Sequence, residues 1–356
     1  MNTYIKEDTL EVIENLGELN SRFSGKSVLL TGAGGFLGSQ FVHYFSNLNV
    51  EGILEQPVTL YCIDNFMRGM PEWLLSLQDV PGIVIETEDI INVNHTRRYD
   101  FIIHAASIAS PIYYRLHPLE TMDANVIGLR KLLEHSRLTE CESFLFFSTS
   151  EIYGDPFPEF IPTKETYRGN VSCTGPRACY DESKRYGETL CVNFWQQYGI
   201  PVKIARPFNN YGPGLKITDK RVLPDFFRDI LNNNDIVLLS DGKATRTFCY
   251  ISDAITGYLL ILLSDYNGEP FNIGTEEPEI SMLELSRLVI KTSDKPLHVI
   301  FKQSDDKDYL IDNPNRRCPD IAKARELLGY SPKVPLEVGL RRLYQYYLEN
   351  PIAEES

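Results

Sequence analysis

Long apolar runs are missing from this chain of 356 residues. None approaches the roughly 18 consecutive apolar residues that a membrane-spanning helix needs, and the polar N-terminus carries no signal-peptide pattern. Paired cysteines are missing too. The seven present, at positions 62, 141, 173, 179, 191, 249 and 318, are an odd number without a CxxC pair, so neither a disulfide framework nor a zinc site is expected. They read as reduced thiols in a cytoplasmic protein, with no metal. Basic runs are absent: 49 acidic residues against 35 Lys and Arg leave a net charge of −14, which argues against nucleic acid and anionic membrane as partners. No repeat or low-complexity tract interrupts the chain. A hydrophobic content of 43% is enough for a large core and two domains.

The first positive signal is a strand, turn and helix. Ser27-Val28-Leu29-Leu30 is a short apolar run suited to a buried parallel strand. It leads into Thr31-Gly32-Ala33-Gly34-Gly35-Phe36-Leu37-Gly38 and then a helical pattern from Gln40 to Phe45. Glycines let a backbone approach a pyrophosphate, which then rests on the amides of the helix N-terminus. Gly32, Gly35 and Gly38, with Phe36 and Leu37 between them, are therefore candidate dinucleotide contacts, although the spacing G-x-x-G-x-x-G departs from the commoner G-x-G-x-x-G. A second apolar run, Val58 to Ile63, ends in Asp64-Asn65. A carboxylate there accepts hydrogen bonds from adenosine ribose hydroxyls and repels a 2′-phosphate, which selects NAD over NADP. Arg68 nearby argues the other way.

Two further strands follow. Phe101-Ile102-Ile103-His104 ends in Ala105-Ala106-Ser107, small residues that leave room for a cofactor. His104, inside the apolar run, reads as a satisfied core histidine rather than a catalytic one. Phe144 to Phe147 is followed by Ser148-Thr149-Ser150-Glu151, two hydroxyls and a carboxylate at the strand end where such sheets bind ligands. Next comes Thr174-Gly175-Pro176-Arg177-Ala178-Cys179-Tyr180-Asp181-Glu182-Ser183-Lys184. Tyr180 and Lys184 lie about one helical turn apart, so they share a face. An ammonium beside the phenol is expected to lower its pKa and make it a base for a sugar alcohol. A YxxxK pair by itself occurs in many helices; its weight comes from the three preceding segments in order.

With these segments the chain resembles the extended short-chain dehydrogenase/reductase family that modifies nucleotide sugars, from about Gly25 to about Tyr347. Within it, the runs Ser148–Pro156, Gly175–Glu182 and Asn315–Ile321 are most similar to UDP-glucuronate decarboxylases. The resemblance implies an α/β fold, a Rossmann-type doubly wound parallel sheet with a smaller mixed α/β C-terminal substrate domain. The corresponding division is 1–24 as a helical extension, 25–206 as the NAD-binding domain and 207–350 as mainly the sugar-nucleotide domain, with elements interleaved. It also implies NAD as cofactor, a nucleotide-sugar substrate, a homodimer and a place in polysaccharide biosynthesis. By the same likeness Tyr180 is the base, Lys184 its partner and a ribose ligand, Thr149 a partner of the C4 hydroxyl, and Glu151 an acid/base group near C5. Ser150 and Arg317 would help hold the substrate carboxylate. Asp89 and Ile90 join the cofactor contacts, and Asn209, Arg221 and Arg246 would reach the diphosphate and sugar. Arginine suits that task because its planar fork grips oxygens in pairs.

Three chemistries share oxidation at C4. Decarboxylation is favoured by the length of the matching runs. A 4,6-dehydratase carries Asp-Glu where this chain has Ser150-Glu151, and a 4-epimerase usually has no glutamate there. A departure from the decarboxylase pattern lies in the expected helix 118–126, where Glu120 and Asp123 stand in place of lysine. A non-catalytic NAD-binding scaffold would be expected to lose the tyrosine or lysine, and both are present. Finally, Leu10, Ile13, Leu16 and Leu19 space an amphipathic helix within residues 5–23, to pack on the body or on a partner subunit.

Overall fold

The computed structural model describes residues 2–92, 97–304 and 311–350. Six apolar runs form the parallel strands β1 (Ser27–Thr31), β2 (Thr59–Asp64), β3 (Ile83–Thr87), β4 (Phe101–His104), β5 (Ser143–Phe147) and β6 (Val202–Pro207). A seventh strand, Pro270–Ile273, comes from the C-terminal part of the chain and pairs with β6. The order across the sheet is Pro270–Ile273, β6, β5, β4, β1, β2, β3. β4 and β5 are buried along their whole length, as expected of a sheet covered on both faces. The winding reverses between β1 and β4, and that reversal opens a crevice beyond their carboxyl ends.

Helix Phe36–Val50 starts from Gly35 directly after the glycine turn. Nearly all of it is buried, because the sheet lies on one side and helix Thr3–Leu16 on the other. The N-terminal helix therefore packs on the body of the same chain. Its buried face is Ile5, Asp8, Thr9, Val12, Ile13 and Leu16. Leu10 and Leu19, expected on the apolar face, are exposed, because a buried ion network displaced that face by part of a turn. Both Asp8 oxygens accept from the Tyr250 hydroxyl at 2.9 Å, and Arg342 Nη1 donates to Oδ1 at 3.0 Å. Burial outweighs these partners and pushes the Asp8 carboxyl up to about 7.

Beyond β6 the strands shorten. Ile280–Ser281, Thr245–Arg246 and Arg316–Arg317 form one small sheet, with Thr245–Arg246 in the middle. Two further strand pairs join Asn210–Tyr211 to Cys249–Tyr250 and Ile236–Leu238 to Val299–Phe301. The helix expected over 118–126 is Pro118–Asp123, continued by a wider turn, Ala124–Gly128, into helix Leu129–Thr139. These pieces overhang the crevice.

Candidate active site

The crevice is a cleft of about 1170 Å³. Its floor is main chain. Gly32 has φ +76°, and a Cβ there would lie 2.7 Å from the Ala105 carbonyl carbon and the Ala106 nitrogen. A Cβ on Gly38 would sit 2.0 Å from the Gly32 oxygen. Both positions exclude a side chain, so the ends of β1 and β4 and the first turn of helix Phe36–Val50 close onto one another. That helix begins without a side-chain cap, leaving N-terminal amides for an anion. Asp64 braces the turn, accepting from Gly34 N at 3.0 Å and Phe66 N at 2.7 Å. Asn65 Nδ2 donates to Asp89 Oδ2 at 3.1 Å. Phe36, Leu37, Ile90 and Ser107 line the same stretch. The glycine cradle, the amides and the carboxylate beyond them fit a dinucleotide. Arg68 is turned toward Asp219, 3.0 Å away.

Tyr180 and Lys184 lie on the buried face of helix Ala178–Tyr198, under the end of β5. The expected pairing of the two is not what the structure shows. Lys184 Nζ donates to the Phe147 carbonyl at 2.8 Å and lies 5.8 Å from the centre of the Tyr180 ring. Burial lowers the lysine to about 7 and pushes the tyrosine up, against a hydrogen bond with Thr149. The phenol is thus not lowered by the ammonium. Desolvation dominates both groups because the Coulombic partners of opposite sign near them, Arg221 for the phenol and Cys191 for the lysine, act more weakly than burial. The Tyr180 ring stacks on Tyr114, with centroids 5.0 Å apart and planes 6° from parallel, which fixes the phenol's direction. His104 is buried in the core as expected, with Nδ1 2.8 Å from Thr31 Oγ1, but its Nε2 has no hydrogen-bond partner among the described residues, so it is only half satisfied; burial lowers it to about 3.

Glu151 lies in the short turn Ser150–Tyr153, where its amide is capped by Thr149 Oγ1 at 3.2 Å. Its carboxylate is forked by Arg317, with Nη2 to Oε2 at 2.9 Å and Nη1 on Oε1, and Arg177 Nη2 also donates to Oε2. Burial works to raise this carboxyl, but Arg177, Arg317 and Arg246 together hold it at about 2. Behind Arg177, its Nε stands 3.9 Å from Asp181 Oδ2. Burial, with Glu151 close by, raises Asp181 to about 8. Beneath the turn, the Tyr153 hydroxyl donates to Asn272 Oδ1 at 2.7 Å and accepts from Arg206 Nη1 at 2.7 Å. Asn272 in turn donates to the Asp320 carbonyl at 3.0 Å. Tyr153 and Asn272 thus tie the Glu151 turn to the segment carrying Arg317.

Ser150 is buried beside these groups. The other arginines also reach the cleft, with their forks engaged. Arg246 donates to the carbonyls of Thr245, Pro314 and Asn315, and burial with Arg317 nearby lowers it to about 9. Arg221 pairs with Asp219, and Asn209 Nδ2 donates to the Thr247 carbonyl at 2.8 Å. Arg177, Asp181 and Tyr114 were missed as site residues by sequence reasoning. Arg177 lies three positions before Tyr180 inside a run already singled out, which was the available signal. Tyr114 had none, since its ring arrives from a separate helix, Pro111–Leu116.

A model of the NAD dependent epimerase/dehydratase family matches residues 28–274. The chain is similar to UDP-glucuronic acid decarboxylase 2 of Arabidopsis thaliana, 35% identical over 99% of this chain and 76% of that protein. Among solved structures it is similar to the UDP-glucose 4-epimerase of Thermotoga maritima, with a TM-score of 0.78 and 25% identity over 91% of this chain and 99% of that one. It is likewise similar to the UDP-glucuronic acid 4-epimerase of Bacillus cereus in complex with UDP-glucuronic acid and NAD. There the TM-score is 0.75 and the identity 26%, over 91% of this chain and all of the other.

Proposed function

Because the chain belongs to the NAD-dependent epimerase/dehydratase family, we propose that it oxidises C4 of a nucleotide-bound hexuronic acid and removes the C6 carboxyl as CO₂, turning UDP-glucuronate into UDP-xylose. The observation that carries this reading is Glu151, held by Arg177 and Arg317 two residues from Thr149 and close to Tyr180. A group placed for chemistry at C5 has no task in simple 4-epimerisation. The likeness to UDP-glucuronic acid decarboxylases over nearly the whole chain supports it.

When bound on the glycine turn, NAD supplies a reversible hydride acceptor, and the protein supplies orientation. Gly32, Gly35 and Gly38 would hold the pyrophosphate, Asp64 the adenosine ribose, and Tyr180 with Lys184 the other ribose. Tyr180 removes the C4 hydroxyl proton, and Thr149 orients that hydroxyl. A ketone at C4 makes a C6 carboxylate a β-keto acid, which loses CO₂ readily. Arg317 with Ser150 would hold the departing carboxylate, Glu151 would manage the proton that replaces CO₂ at C5, and Tyr180 would give its proton back as the hydride returns to C4. Asn209, Arg221 and Arg246 face the nucleotide end, and the domain division near residue 206 leaves them on the substrate side.

One observation favours a second reading. Glu120 and Asp123 line the cleft, and acidic groups there repel a uronate, as a 4,6-dehydratase acting on a neutral hexose would tolerate. Incubation with UDP-glucuronate, UDP-glucose and dTDP-glucose, followed by product masses, separates the two. Loss of CO₂ from the glucuronate is the expected result; loss of water from a glucose would replace this proposal with the second reading.

No helix among the described residues is long and apolar enough to cross a membrane. All seven cysteines are free and five are buried, which fits a reducing, cytoplasmic setting; the proposal also includes a role in supplying sugars for polysaccharide synthesis. The proposal includes a homodimer. Leu119, Met122, Ile127 and Tyr186 are exposed on neighbouring helices, an apolar face that a second copy would cover. Light scattering at twice the chain mass is the expected result.

A further inference from the structure

Among the described residues lining the cleft, the arginines and Lys184 are committed to partners, and Lys216 lies with Asp64 and Asp219 on the cofactor side. Arg68 and Arg221 face Asp219, Arg246 donates to backbone carbonyls, and Lys184 to the Phe147 carbonyl. Two forks remain near Tyr180, those of Arg177 and Arg317, and both hold Glu151. A hexuronate placed with its C4 hydroxyl on Tyr180 brings a second carboxylate to the same spot. Two carboxylates then compete for two guanidinium groups.

The two arginines are not equivalent. Arg177 caps helix Ala178–Tyr198, which also carries Tyr180 and Lys184, so it is rigidly tied to the proton-transfer groups. Asp181, one turn along and buried, stands behind its Nε at 3.9 Å. Arg177 touches Glu151 through one nitrogen and one oxygen. Arg317 belongs instead to the two-residue strand Arg316–Arg317 of the overhanging part. It presents its whole fork, Nη1 and Nη2, to both Glu151 oxygens, which is the geometry that grips any carboxylate in pairs.

We infer that Arg177, braced by Asp181, is a positioning residue that keeps Glu151 at the C5 side of the site while a substrate carboxylate takes over the Arg317 fork. This rests on the uronate reading above. The exchange also changes the chemistry of Glu151. With both arginines on it, its carboxyl lies at about 2, too low to exchange a proton near neutral pH. Losing the Arg317 fork to another anion moves it upward, toward the range in which an acid/base group works. The charged and titratable groups facing Glu151 are Arg177, Arg246 and Arg317, with Asp181, Tyr114 and Tyr180 around them. Arg177 alone comes from the tyrosine's own helix with its positive charge on Glu151.

Calorimetry with UDP-glucuronate and UDP-glucose, in the Tyr180→Phe background to stop turnover, tests the assignment. Arg317→Gln should weaken UDP-glucuronate by about tenfold or more, the usual loss for a hydrogen bond to a charged group, and leave UDP-glucose nearly unchanged. Arg177→Gln should change neither by more than about threefold, since its partner is Glu151. In the otherwise natural protein, Arg177→Gln should move the acidic limb of CO₂ release upward by about one pH unit, and Arg177→Lys should bring it part of the way back. If Arg177→Gln weakens UDP-glucuronate as much as Arg317→Gln does, Arg177 is a substrate ligand and the inference fails. An unmoved acidic limb overturns it as well. A natural protein that binds UDP-glucuronate but releases no CO₂ sinks the decarboxylase reading instead, and the binding comparison still decides the roles of the two arginines.

Discussion

The two sides of the cleft are built from different materials. On the cofactor side the shape is main chain: Gly32, Gly38 and the Ala105–Ala106 peptide meet at distances that admit no side chain. On the sugar side the shape is made by long charged side chains around Glu151, with Arg246 and Arg317 on strands of two residues and Arg177 at the start of helix Ala178–Tyr198. The glycine turn itself is shaped by neighbours in sequence, with one distant contact to Ala105–Ala106. A cluster of guanidinium groups depends on segments far apart in the chain, here residues 151, 177 and 317. The first side therefore specifies what is shared across the family, and the second is where a different sugar chemistry can be installed.

Substitutions on each side should fail in different ways. The largest effect is expected where the sides meet. Tyr180→Phe should reduce turnover by at least about a hundredfold, the usual size of a general-base contribution, while purified protein still carries NAD(H). Turnover close to that of the natural protein would remove the enzymatic reading on both sides at once. On the backbone side, Gly38→Ala places a methyl 2.0 Å from the Gly32 oxygen. It should cost about 3 kcal/mol by overpacking, visible as a lower urea midpoint together with loss of NAD from the purified protein. A variant that keeps both would show that the turn yields more easily than its contacts imply.

A smaller effect sharpens the cofactor assignment. Asp64→Ala removes the acceptor for Gly34 N and Phe66 N, and by the proposal the ribose partner too. NAD affinity should fall about tenfold and the discrimination against NADP should narrow, both read by calorimetry on stripped protein. An unchanged NAD to NADP ratio would transfer the selection to other residues of the turn.

The last effect lies outside the cleft and touches stability alone. Asp8 holds its proton in the folded protein up to about 7, from an ordinary value of 3.8. A raised carboxyl favours the folded state below its unfolded pKa and loses that contribution as pH rises through the folded one. Stability should therefore decline between about pH 4 and pH 7 by at most about 4 kcal/mol. Asp8→Asn should abolish that slope in urea unfolding measured across the range. Retention of the slope would assign it to another buried acid.

The difference between the sides also sets what could be read in advance. The glycine turn, the small residues after β4, and the Tyr180 and Lys184 spacing are local patterns. Each is imposed by a strand, a turn or one helix face, so their order along the chain was sufficient to expect the fold and the cofactor cleft. The hydrophobic period of residues 5–23 was legible as a helix but not as the face it buries, because Asp8 is drawn inward by Tyr250 and Arg342, partners hundreds of residues away.

Sequence by itself thus determined the doubly wound sheet, the dinucleotide turn and some of the groups at the site, Tyr180, Lys184 and Glu151 among them, because short-range sterics and periodicity dictate them. Tertiary structure alone decided what those groups do to one another. It sent Lys184 to the Phe147 carbonyl instead of the phenol, stacked Tyr114 on Tyr180, and seated Glu151 between Arg177 and Arg317. The physical reason is that burial and charge act through space. Desolvation and Coulomb attraction depend on what surrounds a group in the fold, and no spacing along the chain encodes that.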